Sequence, residues 1–138
     1  ALARPERVKG FIGLAAAPDF TRDILSRMTA DQHEAIRANG FFSVPNDYSP
    51  EPMVITRALL EDGEHHCLLD FPIGLSCPVR LIQGKKDNDV PWPWAQKIYD
   101  ALTTPDKKLI FLDDGDHRLS TDGDLAILAS AVVELSGG

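Results

Sequence analysis

A chain of 138 residues that is 43% hydrophobic can bury one modest core, not two. Its 14 basic and 21 acidic residues give a net charge of −7 with no basic block, which argues against nucleic acid or an anionic membrane as the partner. No apolar run approaches the roughly 20 residues of a membrane span, no signal-peptide pattern opens the chain, and Cys67 and Cys77 lack the spacing of a metal site or disulfide framework, so both are read as reduced thiols of a cytoplasmic protein.

Residues 1–7 (ALARPER) read as the tail of a helix that Pro5 stops, as if further sequence preceded Ala1. Residues 8–15 (VKGFIGLA) read as a strand in which Gly10 and Gly13 allow close packing. Asp19 is placed as the cap of a helix over 20–28, with Ile24, Leu25 and Met28 forming its apolar stripe. Thr29-Ala30-Asp31-Gln32 has capping-box form and opens a second helix, closed by Gly40. That helix is mostly polar, so its His33 is read as a surface residue. Residues 41–52 read as irregular, punctuated by Pro45, Asn46, Asp47, Pro50 and Pro52. Ser49-Pro50 is taken as a helix start, with Met53, Ile55, Leu59 and Leu60 on the buried side and an end near Asp62-Gly63. His65 and His66 beside Cys67 hint at a metal, but adjacent histidines do not share a helix face and no third ligand follows, so no metal is expected.

Residues 77–84 (CPVRLIQG) are an apolar strand, 92–102 (WPWAQKIYDAL) a helix, and 107–112 (KKLIFL) a second apolar strand. Trp92, Ala95, Ile98, Tyr99 and Leu102 fall on one helical face. Residues 122–135 form a closing helix with Leu125, Ile127, Leu128, Ala131, Val132 and Leu135 turned to the sheet, ended by Gly137-Gly138. The pattern predicts an α/β fold of about three parallel strands with crossover helices.

Two strand ends carry the chemistry. The first runs into Lys85-Lys86-Asp87-Asn88-Asp89-Val90-Pro91, the second into Asp113-Asp114-Gly115-Asp116-His117. One helix and one strand separate Asp87 from His117, so a parallel crossover brings both tips to the same sheet edge, where open α/β sheets place their sites. An Asp that orients a His is two thirds of a nucleophilic triad. Taken alone, Asp113, Asp114 and Asp116 are equally well read as solvated turn residues, and His117 as a surface histidine.

Gly84-x-x-Asp87-x-x-Val90-Pro91 followed by Gly115-Asp116-His117 resembles the last third of an α/β-hydrolase. The fuller wording, Asp89-Val90-Pro91-Trp92 and Asp114-Gly115-Asp116-His117-Arg118-Leu119-Ser120, is similar to a branch of serine esterases and thioesterases. Ala16-Ala17-Pro18-Asp19-Phe20 and residues 55–63 (ITRALLEDG) extend the similarity over nearly the whole chain. The resemblance implies a carboxylic-ester or thioester hydrolase with Asp87 as orienting acid, Asp89 as the alternative acid, and His117 as base. It implies that residues 19–75 are a lid-like helical insertion. Phe41 and Phe42 would line an acyl or aromatic pocket or simply pack, and Trp92 would border it or pack the crossover. The family's Gly-x-Ser-x-Gly elbow is absent from the chain, and so is its first oxyanion loop.

The chain is therefore expected to be the carboxyl-terminal part of one hydrolase domain, inactive alone, with the nucleophile in a missing N-terminal half. Its first strand, lacking a neighbour on one side, would invite a homo-oligomer through the exposed edge. The alternative is a non-enzymatic module of the same fold that binds an acyl or aromatic ligand. A flavodoxin-like binding domain is a distant third, since no Gly-rich phosphate loop appears. No cofactor is expected.

Overall fold

The structure is a computed structural model that describes residues 1–46 and 48–137. Asp47 and Gly138, read above as parts of a loop and of a helix stop, lie outside the described residues. The chain divides into two compact units, Ala1–Ala17 with Leu69–Gly138, and Pro18–Leu68.

The first unit is built on a parallel three-stranded sheet. Strand β1 (Phe11–Leu14) follows a single 3-10 turn at Pro5–Arg7, where the sequence suggested a helix tail. After the second unit come β4 (Val79–Gly84), α4 (Pro93–Ala101), β5 (Lys107–Leu112) and α5 (Asp122–Ser136). The strand order is β1-β4-β5, with Phe11 opposite Val79 and Leu81 opposite Leu109. All six residues of β4 are buried, as a continuous apolar run in a central parallel strand requires.

Alternate residues of β4 face opposite layers. Val79 and Leu81 pack with Ile98 and Leu102 of α4 and with Ile73, Leu75 and Cys77. Ile82 packs with Leu112, Leu119 and Ala131, backed by Ile127 and Leu128 of α5. Each such aliphatic side chain contributes about 1.5–3 kcal/mol on burial. Ile73 and Leu75, placed with the insertion in the sequence reading, pack in the sheet core, with Leu69 against them. Leu125 and Val132, expected to face the sheet, are about half exposed. Residues 125–133 of α5 are apolar almost all round, so periodicity could not tell its inner face from its outer one.

Arg80 is the charged exception inside β4. It is 3% exposed and bonds Asp106, Glu134 of α5 and the carbonyl of Val79. Lys108 joins Glu134 from the neighbouring strand. These cations hold the Glu134 carboxyl down at about 2, Arg80 being the larger influence.

The second unit contains α1 (Phe20–Arg27), α2 (Ala30–Asn39), an antiparallel hairpin of β2 (Phe41–Val44) and β3 (Met53–Thr56), and α3 (Arg57–Glu64). Thr29 and Gln32 form the capping box that the sequence predicts, and Gly40 closes α2 in the left-handed conformation at φ +82°. Two expectations change. The side chain of Asp19 makes no cap bond to α1; its Oδ1 accepts from the Leu68 N–H instead. The helix anticipated from Ser49-Pro50 is absent, because residues 53–56 are a strand and helix α3 begins only after Thr56, whose hydroxyl caps the Leu59 N–H. Phe42 and Ile55 pair across the hairpin and, with Leu60, form this unit's core.

Candidate active site

The tips of β4 and β5 are locked together by two glycines. A side chain on Gly84 would collide with the Gly115 carbonyl, and one on Gly115 would press on the Cα of Gly84 at 3.1 Å. The Gly115 carbonyl also accepts from the Lys86 N–H, and the Leu112 carbonyl from the Lys85 N–H. With no side chains between them, the turn carrying Asp87 and the turn carrying His117 are neighbours.

His117 Nδ1 lies 3.0 Å from Asp87 Oδ2. The Asp87 carboxylate is fully enclosed, whereas the His117 ring is 36% exposed. Asp87 Oδ1 accepts from the backbone N–H groups of Asp89 and Val90, and Oδ2 accepts from His117 and from Gln83 Nε2. Burial alone would push this carboxyl up. The Val90 N–H, His117 and the Asp89 N–H outweigh burial and hold it below the usual carboxylate range. An ionised Asp87 fixes the Nδ1–H tautomer of His117 and leaves the lone pair of Nε2 as the ring's basic atom.

Asp116 holds the other turn. Its Oδ1 accepts from the N–H groups of Arg118 and Leu119, which bends Leu119 to φ +46° and tucks its side chain into the core. Asp113 and Asp114 are solvated turn residues, 82% and 90% exposed and paired with Lys85 and Lys86. Asp89, the alternative acid, gives its backbone N–H to Asp87.

Asp87, Asp89 and His117 each bring a potential ligand atom within 4.8 Å of the others. Four donors already occupy the Asp87 oxygens, so a cation would have to displace the hydrogen bonds that build the site. His65, His66 and Cys67 form no such group among the described residues; His66 instead approaches Asp62 at 3.5 Å.

The aromatic candidates are dispersed. Phe42 is buried in the second unit's core, and Phe41, on the opposite face of β2, is about half exposed. Trp92 is also half exposed and meets Phe111 edge to face at 5.7 Å. Gln83 was not singled out from sequence. The available signal was a lone polar residue in an apolar strand, one position before the turn glycine.

A parallel sheet between helices, with an Asp-oriented His at its carboxyl edge, is the arrangement of the α/β-hydrolases, and the chain has the fold of part of such a domain. Among curated proteins it is 35% identical over 136 residues to the mouse mitochondrial palmitoyl-protein thioesterase ABHD10, covering 98% of this chain and 46% of that protein. The human counterpart is 32% identical with 98% and 44% covered. The solved mouse ABHD10 hydrolase domain superposes with a TM-score of 0.88 at 34% identity, over 99% of this chain and 55% of that one. An Agrobacterium vitis protein assigned as a hydrolase gives 0.90 at 37% identity, over 93% and 49%. The chain thus spans about half the length of the curated relatives it matches. No family model matches it. Among the described residues, no helix is long and apolar enough to cross a membrane.

Proposed function

We propose that Asp87 and His117 are the acid and base of a Ser-His-Asp acyl-transfer site for carboxylic esters or thioesters, with the serine supplied from outside residues 1–138. The 3.0 Å contact between an enclosed, ionised Asp87 and a partly exposed His117 carries this reading. In the reaction, Nε2 of His117 takes the serine proton as the oxygen attacks the acyl carbon, then returns a proton to the departing alcohol or thiol. Asp87 keeps the ring in the required tautomer and balances the imidazolium. Thioester cleavage is favoured by the name of the mitochondrial relatives. Phe41 and Trp92, both about half exposed, are the candidates for acyl contact, and Phe42 serves packing. By its resemblance to the α/β-hydrolases, the stretch 19–75 is the lid-like helical insertion of such a domain. The unpaired side of β1 is where a further strand, from the remainder of a hydrolase domain or from a second copy, adds to the sheet. Read as reduced thiols, Cys67 and Cys77 suit a reducing compartment, and we place the chain in the cytoplasm.

Intact-mass analysis after treatment with a fluorophosphonate probe tests this reading. No adduct is expected on the 138-residue chain. A stoichiometric adduct on one of its own serines would overturn the external nucleophile. A hydrolase assembled from this chain and a serine-bearing polypeptide should lose about three orders of magnitude in turnover on Asp87→Asn or His117→Ala. Undiminished turnover would remove that residue from the mechanism. Lack of a Gly-x-Ser-x-Gly elbow favours the second reading, a non-enzymatic acyl-binding module of the same fold. That module would retain a fatty-acyl probe equally well after His117→Ala and never turn it over.

A further inference from the structure

Gln83 is the penultimate residue of β4, with 0% of its surface exposed. Its Nε2 lies 3.1 Å from each of three oxygens: the Gly84 carbonyl, Asp87 Oδ2 and the Val90 carbonyl. This convergence fixes the amide's orientation, since the flipped amide would set its own oxygen against three acceptors. The turn 84–90 is therefore wrapped around one side-chain nitrogen. On the other side of the amide, Oε1 is buried and has no hydrogen-bond partner among the described residues. A leucine or methionine would fill the same space without stranding a carbonyl, so space-filling does not account for a glutamine here.

We propose that Gln83 is the positioning residue of the Asp87–His117 pair. Two of the four donors on Asp87 belong to its own turn and move with it, and a third is His117 itself. Among the described residues Gln83 alone reaches the carboxylate from the sheet, so it transmits the rigidity of β4 to the oxygen that faces His117. With Oδ1 held by two backbone groups and Oδ2 held by Gln83, the carboxylate plane is set before His117 binds it. The inference rests on the acyl-transfer reading for its purpose, but the hold on Asp87 exists apart from that reading.

Carbon-13 titration of the Asp87 carboxyl and nitrogen-15 titration of His117, in the labelled 138-residue chain, read this hold directly. Gln83→Met removes the donor at similar volume. Asp87 should then titrate higher, because a hydrogen bond to the charged form is lost. The Nδ1 proton of His117 should broaden by exchange as the carboxylate gains freedom. Gln83→Glu is the isosteric counterpart. Its introduced carboxyl, against Asp87, should share a proton with it in a step well above the ordinary carboxylate range. Below that step the protonated acid donates to Oδ2 and restores the His117 signal; above it the signal is lost.

A folded Gln83→Met chain with unchanged Asp87 and His117 titrations would overturn the proposal and leave Gln83 a packing residue. Should that variant not fold, Gln83→Glu decides. A pH-switched His117 signal supports the proposal, and a signal unchanged through the titration overturns it. Asp87→Asn separates the two readings. A His117 titration indifferent to Asp87→Asn would end the acyl-transfer reading, while the effect of Gln83 on Asp87 would still be read from the Asp87 carboxyl.

Discussion

Strand β4 and the hairpin β2–β3 hold their places by opposite means. In the hairpin only Phe42 and Ile55 are buried, one residue per strand, and they face each other across the ladder. In β4 every residue is buried, and two of the six, Arg80 and Gln83, are polar groups with named partners. An apolar pair asks for volume and tolerates any neighbour of the right size. A buried guanidinium or amide asks for particular atoms in particular places. The difference teaches where this chain spends its specificity: on the strand that ends in Asp87.

The comparison can be broken at its apolar end first. Phe42→Ala should cost about 3–5 kcal/mol, read as lost hydrogen-exchange protection in residues 41–60. At the polar end, Gly84→Ala should cost about 1–3 kcal/mol, since β4 or the Gly115 turn must shift to admit the methyl group. It should also weaken the coupling between the Asp87 and His117 titrations, which Phe42→Ala would leave in place. A graded effect follows from acid. The folded-state carboxyls of Glu134, at about 2, and Asp87 are both depressed, so their contribution is complete above the ordinary carboxylate range and lost as pH falls toward about 2. Denaturant midpoints taken down that range should fall, and should fall less in Arg80→Met, which removes the main cause of the Glu134 shift. The smallest effect belongs to the hairpin's outer face, where Val54→Thr should change stability by less than about 0.5 kcal/mol.

What the sequence made legible divides along the same line. Strands β1, β4 and β5 announced themselves as continuous apolar runs, and α2 as a capping box closed by glycine. These are local signals, and tertiary packing agreed with them. The juxtaposition of Asp87 and His117 was legible because a parallel crossover places consecutive strand tips side by side. The hairpin was not legible. Phe41–Val44 and Met53–Thr56 become strands through each other, across a loop crowded with prolines, and Ser49-Pro50 imitates a helix start. Val54, Ile55 and Thr56 were its one local clue, three β-branched residues in a row. Asp19 misled for a similar reason, since its partner Leu68 is distant in sequence. Gln83 stayed hidden because its meaning depends on where the next seven residues fold.

The contact between Gly84 and Gly115 bears on how this sequence can change over time. Neither position can accept a side chain while the other backbone stays where it is, so their tolerances are not independent. A side chain on Gly115 would also press on Leu112 Cβ at 2.9 Å and Leu119 Cδ2 at 3.0 Å, so a shift that admits one at Gly84 does not by itself admit one at Gly115. Drift through single changes is therefore closed at both sites, and the separation of Asp87 from His117 is inherited as a property of two absent side chains.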